Sequence, residues 1–290
     1  MKTSATTMSA RHSLRPTRAA RWGLFWALNL VFLFFFLFPF YWQTVTAFKP
    51  PAELYAIPVK WFPSQIYWGH FQDVFKNFGF GRNIVNSLVV ASCTTVVSVA
   101  AGVLASYSLA KLPLPARPTL MVIVVAMVTF PGIALVAPLF IVLRSLQLTD
   151  TYGALIIPYT AFSLPFAIWV LTNFFRDIPT ELAEQAEVDG CTPFQSLRRI
   201  ILPLAAPGVV TTALLVFIGA WNEYLFALTF TSSQNAMTVP VAIASFPGVQ
   251  EIPWGDISAG SELVTLPIIV LVLIFQRRIV QGLTAGALKG

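Results

Sequence analysis

The chain has 290 residues, of which 57% are hydrophobic and only 10% are charged, and its formal net charge is +6. Soluble domains contain roughly 45–50% apolar and about 25% charged residues, so this composition indicates a membrane protein. The two cysteines and two histidines lack metal-ligand spacing, and the sequence contains no glycine-rich phosphate loop or Ser-His-Asp set. We therefore predict no metal, no cofactor and no enzymatic activity in this chain.

The N-terminal residues 1–21 contain five basic residues and no acidic ones. This pattern predicts a disordered cytoplasmic tail whose charges can rest on anionic membrane lipid. The stretch 22–48 that follows carries no charge. It is longer than the apolar part of a signal peptide and long enough to cross a bilayer, which takes roughly 20 residues. We predict a first membrane span rather than a cleaved signal.

Five more apolar stretches predict an all-α polytopic membrane protein with six transmembrane helices. They lie at residues 83–110, 118–143, 151–175, 200–222 and about 258–275. The segment 49–82 is rich in proline and aromatic residues and predicts an extracytoplasmic loop with a short interfacial helix around residues 68–78. The membrane domain then covers residues 22–281, and residues 282–290 form a C-terminal cytoplasmic tail.

The distribution of basic residues predicts the orientation of the chain in the membrane. Six spans put both termini on one side, and thirteen of the 18 lysines and arginines then lie on that side. Cytoplasmic segments carry an excess of basic residues, so both termini are predicted in the cytoplasm. The same arrangement places the polar segment between spans four and five, residues 177–203, in the cytoplasm.

The segment 177–203 predicts two short helices with a break between them. Five of the twelve acidic residues of the chain lie between Asp177 and Asp189. Pro179 suits the first position of a helix, where a missing N–H has no cost. Gly190 suits the end of that helix, because a C-terminal cap needs a residue that tolerates positive φ.

The second helix of this segment has a start signal in its sequence. Thr192, followed by proline and then by Gln195, predicts a capping box. The helix is expected to end near Pro203, since proline cannot continue the hydrogen-bond pattern. Its apolar side chains are predicted to share one side: Phe194, Leu197 and Ile201.

One face of the first helix consists of small residues. Ala183, Ala186 and Gly190 recur at helical spacing, with Glu184 and Glu187 beside them. Such a face predicts a docking surface that another protein can approach closely, and a solvated connector is the alternative. The acidic character of the helix argues against nucleic-acid binding, which needs a basic surface.

This segment resembles the EAA motif of ABC importer permeases. The matching residues are Glu184, Gln185, Ala186, Asp189, Gly190, Ile200, Leu202 and Pro203, with Gln185 in place of the usual alanine. In that family the motif forms the cytoplasmic coupling helices of the type I (MetI-like) importer fold, which dock on an ATPase subunit. The resemblance implies that Glu184, Ala186, Asp189 and Gly190, with Ala183 and Glu187, contact the ATPase.

A polar cluster lies late in the fifth predicted span. It consists of Trp221, Asn222, Glu223 and Tyr224. Intramembrane carboxylates often mark a transport path, and rings beside hydrogen-bonding groups suit a sugar. The alternative is an aromatic belt at the membrane interface. Glu262, near the outer end of span six, is expected to be a boundary residue.

Most of the chain is similar to ABC permeases of the maltose and trehalose carbohydrate type (MalG-like). The similarity rests on residues 40–42, 48–50 and 86–87, on the cluster at 221–224, and on the C-terminal residues 275–278 and 282–290. It implies a subunit of a bacterial inner-membrane sugar importer, forming half of the path for an oligosaccharide such as maltose or trehalose. The implied partners are a second, different permease (MalF-like), two cytoplasmic ATPase subunits and an extracytoplasmic sugar-binding protein.

Two other functions are weighed against sugar import. An ABC permease for a non-sugar solute would share the EAA motif. A secondary transporter would need intramembrane ionisable relays or an inverted repeat, and the sequence shows neither.

Overall fold

A computed structural model describes residues 18–246 and 252–287, and this part of the chain is helical throughout its regular structure. The first helices are α1 (Arg18–Phe48), α2 (Pro51–Leu54), α3 (Gly69–Lys76), α4 (Phe80–Lys111), α5 (Arg117–Thr129), α6 (Val136–Ser145) and α7 (Tyr152–Asp177). The remaining ones are α8 (Glu181–Val188), α9 (Pro193–Ser196), α10 (Leu202–Leu204), α11 (Ala206–Asn222), α12 (Leu225–Phe230), α13 (Val239–Ala244) and α14 (Trp254–Ala287). A 3₁₀-helix, Gly132–Leu135, precedes α6, and a π-helix, Leu197–Ile201, precedes α10.

Four of the described helices are each long and apolar enough to cross a membrane, namely α1, α4, α7 and α14. Two further spans are bent pairs. α5 and the segment Gly132–Ser145 meet at 84°, and the segment Pro193–Leu204 meets α11 at 82°. The prediction of six spans holds when each bent pair counts as one span. The spans predicted at 118–143 and 200–222 correspond to these two bent pairs: the first breaks at Pro131, and the second bends at Ala205.

The ends of the predicted membrane domain also differ in the structure. α1 begins at Arg18, so the last four residues of the predicted N-terminal tail are helical. α14 continues through Ala287, so most of the predicted C-terminal tail extends the last span. The rest of both tails, residues 1–17 and 288–290, lies outside the described residues.

The centre of the bundle is the contact between α4 and α7, against which α11 packs. α4 turns small residues toward α7, and a Cβ added at Gly102 would lie 3.1 Å from the Cβ of Ala167. One turn further along α4, Ser106 Oγ donates a hydrogen bond to the carbonyl of Ile168 at 3.0 Å. Small residues and hydroxyls of this kind allow membrane helices to pack closely.

α1 lies at the edge of the bundle and packs on α14 and α3. Nearly all its side chains from Trp22 to Phe40 are exposed, including a run of phenylalanines at 34–36. This apolar surface suits contact with lipid tails or with another membrane subunit.

The segment between α1 and α4 is fixed to the start of α14 by a histidine. His70 of α3 pairs through Nδ1 with Asp256 Oδ1 at 2.6 Å and through Nε2 with the carbonyl of Lys49 at 3.1 Å. Gly255 lets α14 approach, since a Cβ there would lie 2.2 Å from the imidazole Cε1. A short helix predicted around residues 68–78 is present as α3, and its place at the membrane interface stays a prediction.

Glu53 of α2 holds the same segment together. Its carboxylate accepts hydrogen bonds from Lys60 Nζ at 2.6 Å and from the backbone N–H of Ser64 at 3.1 Å. These two bonds lower the pKa of Glu53 to about 2 from 4.5. Because the folded-state pKa is depressed, the carboxylate stabilises the fold above pH 4.5 and loses this effect as the pH falls toward 2.

We expect Glu53→Gln to lower the unfolding temperature at neutral pH and to lose its effect in acid. The difference between the wild-type and variant unfolding temperatures should shrink below pH 4.5 and vanish only below pH 2. Thermal unfolding of the purified protein across this range is the measurement. A difference that stays constant down to pH 2 would show that the Lys60 and Ser64 contacts do not depend on the charge of Glu53.

Candidate functional site

The first helix of the coupling segment, defined here as residues 181–204, ends as its sequence predicts. Gly190 has a φ of +83°. Its N–H donates to the carbonyl of Glu187 at 3.0 Å, and the N–H of Cys191 donates to Ala186 at 2.9 Å. This pair of bonds is a Schellman motif. The start differs slightly, because α8 begins at Glu181, two residues after Pro179.

The second helix of the coupling segment begins with the predicted capping box. The N–H of Thr192 donates to Gln195 Oε1 at 2.9 Å, and the N–H of Gln195 donates to Thr192 Oγ1 at 3.3 Å. The predicted end near Pro203 is confirmed, since helical structure continues through the π-helix and α10 and ends at Leu204. Pro203 lies in the first turn of α10, where its missing N–H costs little.

Two of the three small residues predicted to form a docking face, Ala183 and Ala186, lie inside the chain, whereas Gly190 is exposed. Ala183 and Ala186 are only 5% and 2% exposed. Ala183 belongs to a buried cluster with residues of α4, of α7 and of the second half of the coupling segment: Val103, Tyr107, Leu171, Phe175, Leu197 and Ile201. The close approach that small residues permit therefore joins α8 to the bundle of its own chain.

The exposed face of the coupling segment is of a different kind. Val188 is 88% exposed and Phe194 is 61% exposed. Around them lie other exposed residues: Glu184, Gln185, Glu187, Asp189 and Gly190. We call these seven residues the coupling surface. Phe194 was predicted to share a face with Leu197 and Ile201, but those two are buried and Phe194 points away.

We expect Gly190→Ala to destabilise the coupling segment through its backbone alone. A Cβ at Gly190 would meet no atom within 4 Å, so the cost comes from the positive φ, roughly 1–2 kcal/mol. Gly23→Ala is the matched control, since that site is also open but lies within α1. Limited proteolysis in the coupling segment should increase for Gly190→Ala and not for Gly23→Ala. Equal resistance of the two variants to proteolysis would show that the positive φ at Gly190 is not needed to keep the coupling segment folded.

Glu223 joins α11 to α12 inside the bundle. Its Oε1 accepts the N–H of Phe226 at 2.9 Å, and its Oε2 accepts the N–H of Ala227 at 3.1 Å. The hydroxyl of Tyr159 on α7 also donates to Oε2, at 2.5 Å. The carboxylate therefore caps the N-terminus of α12, where a negative charge is favourable, and ties that helix to α7.

The other members of the predicted cluster point in different directions. Trp221 is 1% exposed and stacks on Phe217 with ring centroids 5.7 Å apart. Asn222 is exposed and donates to the carbonyl of Ile218 at 2.9 Å, while Tyr224 is 40% exposed. The structure does not bring the four side chains into one pocket, since successive residues at the end of α11 diverge, and their role in the path stays a prediction.

Glu223 instead faces a cavity of 270 Å³ between α7 and α11. We call it the Glu223 cavity. Residues of α7 at helical spacing line one wall, namely Tyr159, Phe162, Ser163 and Phe166, and Gly219 of α11 leaves room opposite. Aromatic rings beside a hydroxyl and a carboxylate suit a small polar ligand. The spacing on α7 was visible in the sequence, but nothing there showed which span faces Glu223.

Comparison with known proteins identifies the family. The model of the binding-protein-dependent transport system inner membrane component family matches residues 98–285. The chain is 43% identical to the trehalose transport system permease protein SugB of Mycobacterium tuberculosis, covering 93% of this chain and 99% of that protein. It is 41% identical to the trehalose/maltose transport system permease protein MalG of Thermococcus litoralis, covering 88% and 92%.

Solved structures support the same fold. A chain of a bacterial ABC transporter involved in the import of the acidic polysaccharide alginate has a TM-score of 0.77 at 21% identity, covering 91% of this chain and 99% of that one. A chain of the MetNI methionine ABC transporter has a TM-score of 0.56 at 21% identity, covering 70% and 94%. These likenesses confirm the MetI-like importer fold. The chain belongs to the family of binding-protein-dependent transport system inner membrane components, as a membrane-embedded permease rather than an enzyme.

Proposed function

We propose that this chain is one of two permease subunits of an ATP-driven sugar importer, and that it forms half of the path for an oligosaccharide such as maltose or trehalose. The observation that carries the proposal is the high identity, over most of both chains, to permeases named for trehalose and for trehalose and maltose. A third relative, 40% identical, is named for sulfoquinovosyl glycerol, which also contains a sugar.

The proposed complex contains four kinds of subunit. A second, different permease (MalF-like) completes the path, two ATPase subunits lie in the cytoplasm, and a sugar-binding protein delivers the substrate from outside. The proposed location is the bacterial inner membrane with both termini in the cytoplasm. The charge distribution supports this orientation, because thirteen of the 18 basic residues then lie on the cytoplasmic side.

The coupling surface is the proposed contact with the ATPase. Val188 and Phe194 are large apolar side chains that no described part of the chain covers, and a rim of carboxylates surrounds them. An apolar centre with a polar rim is the usual composition of a protein interface. Family members act with ATPase subunits, and this surface offers the apolar anchors that such a contact needs.

The attachment of the coupling segment suggests how force passes to the membrane. α8 follows α7 directly, and α11 follows α10 after an 82° bend at Ala205. The cluster that includes Ala183, Phe175 and Ile201 joins α8, α7 and the second half of the segment. When ATP binding draws the ATPases together, the segment would move as one body and shift α7 and α11, between which the Glu223 cavity lies.

The Glu223 cavity is the proposed sugar-contacting part of this subunit. Phe162 and Phe166 offer apolar faces, while Ser163 makes no hydrogen bond within the described residues and is available to a sugar hydroxyl. Trp221, which is buried in the core, is assigned a packing role. Asn222 and Tyr224 are exposed at the same end of α11 and remain proposed path residues.

Uptake by whole cells tests the proposed substrate class. A strain that lacks this chain should lose uptake of one labelled sugar from a panel of α-linked disaccharides, and a plasmid copy should restore it. Labelled amino acids and inorganic phosphate serve as controls and should enter equally in both strains. Loss of uptake of a non-sugar solute, with unchanged sugar uptake, would overturn the proposal.

A further inference from the structure

A second cavity lies where α1 ends and α14 begins. It has a volume of 560 Å³ and is lined by residues of α1, α2 and α14 together with Lys49. Three large aromatic side chains form part of its wall: Trp42, Tyr55 and Trp254. We call it the Lys49 cavity. The proposed orientation places it at the outer surface of the membrane.

Lys49 is the unusual residue of this cavity. The residue is only 2% exposed, and its ammonium lies 4.2 Å from the centre of the Trp42 ring. Burial lowers the pKa of Lys49, and the charge of Glu53 opposes that shift. A buried ammonium is costly unless a negative group accompanies it.

The carboxylates around Lys49 are held by other donors. Glu53 binds Lys60 and Ser64, Asp256 binds His70, and Glu262 accepts the hydroxyl of Thr44 at 2.6 Å. Among the described residues, the ion pairs within 4.0 Å are Lys60–Glu53 and His70–Asp256. Within the described part of the chain, the ammonium of Lys49 therefore lines an open cavity without a carboxylate within 4.0 Å.

Two more donors face the same space. Gln43 and Ser258 line the cavity, and neither side chain makes a hydrogen bond within the described part of the chain. An amide N–H, a hydroxyl and an ammonium can all donate to one group of oxygen atoms. Convergent donors with a buried positive charge are the chemistry of a phosphate or carboxylate site.

The position of the cavity distinguishes between such anions. Tryptophan and tyrosine favour the membrane interface, and the cavity extends from this aromatic belt to Pro39 inside the apolar span. Beyond it, the exposed side chains of α1 and of α14, such as Phe35, Phe36 and Leu266, form an apolar surface. A ligand that fits both parts has an anionic head and a long apolar tail.

We propose that the Lys49 cavity binds the phosphate of an anionic phospholipid, with Lys49, Gln43 and Ser258 as donors and the acyl chains along α1 and α14. A phospholipid of net negative charge, such as phosphatidylglycerol, is favoured over phosphatidylcholine. The reason is that the described carboxylates near the cavity, Glu53, Asp256 and Glu262, already pair with Lys60, His70 and Thr44, so the described lining offers donors for an anion rather than an unpaired carboxylate for a choline cation. The bound lipid would fix the contact between the first and last spans.

Native mass spectrometry of the intact importer complex, with added lipid, tests the proposal. Wild-type complex should retain phosphatidylglycerol in preference to phosphatidylcholine, and Lys49→Gln should bind it about tenfold more weakly. Lys49→Arg, which keeps the charge, should retain the lipid. Lys76→Gln is the matched control, because Lys76 is exposed in α3 and lies outside the cavity.

The remaining experiments distinguish a bound phospholipid from a free anion. If the complex with Lys49→Gln does not assemble, Ser258→Val and Gln43→Leu replace it in the same measurement. Each of these two variants should retain less phosphatidylglycerol than the wild-type complex. Inorganic phosphate that displaces the lipid at millimolar concentration would indicate a free-anion site and overturn the proposal. Equal lipid retention by wild type and Lys49→Gln would do the same.

Discussion

Val188→Asp should abolish co-purification of the ATPase while this chain still inserts and pairs with the second permease. Val188 is 88% exposed, so the fold does not depend on it. In the proposed interface, however, the aspartate would be buried without a partner, at a cost of several kcal/mol. Such a cost lowers association more than a hundredfold. Affinity purification of the tagged complex, with quantification of each subunit, is the measurement.

Two further variants distinguish docking from folding at this site. Ala186→Asp places a charge at a position that is 2% exposed inside the chain, so loss of the whole protein is expected. Glu187→Gln changes only the rim of the coupling surface, where an exposed ion pair contributes at most about 1 kcal/mol, and should retain the ATPase. Full ATPase retention and full sugar uptake by Val188→Asp would show that the coupling surface is not the interface.

Glu223→Ala should prevent stable assembly of this chain, whereas Glu223→Gln should assemble and transport poorly. The alanine variant leaves the N–H groups of Phe226 and Ala227 and the Tyr159 hydroxyl without their acceptor. Each buried donor without a partner costs about 1–3 kcal/mol. Glutamine keeps one oxygen acceptor but removes the negative charge that stabilises the N-terminus of α12 and faces the Glu223 cavity. Membrane expression and sugar uptake are the two measurements.

Ser163→Ala separates transport from folding in the same cavity. Ser163 lines the cavity without a hydrogen bond in the described structure, so its removal should leave assembly unchanged. Loss of one hydrogen bond to a sugar hydroxyl should raise the half-saturating sugar concentration about tenfold. If Ser163→Ala and Glu223→Gln both transport like wild type, the Glu223 cavity is not part of the path.

Local signals in the sequence predicted local structure well. The positive φ of Gly190 and the capping box at Thr192 depend on residues within four positions of each other, and both are confirmed. The long spans follow from uncharged apolar stretches in the same way. The sequence did not predict how sharply the chain bends at Pro131 and Ala205, because proline in a membrane helix is compatible with either a gentle kink or a sharp turn.

The predicted sites failed where they depended on which neighbour a residue meets. The spacing of Ala183 and Ala186 correctly indicated close packing, but the partner is the chain itself rather than another protein. Glu223 was predicted as a path residue, but no sequence pattern showed that α12 would also begin beside it and take its carboxylate as a cap. The Lys49 cavity joins residues about 200 positions apart, so only the fold brings them together.

The most direct test is ATP hydrolysis by the complete complex in proteoliposomes, with and without sugar-loaded binding protein. If this chain transmits sugar delivery on one side of the membrane to the ATPases on the other, the loaded binding protein should stimulate hydrolysis. The stimulation should occur with the transported disaccharide and disappear with Val188→Asp. Hydrolysis that is unaffected by the loaded binding protein, or equal stimulation in Val188→Asp, would contradict a role of this chain in coupling sugar import to ATP.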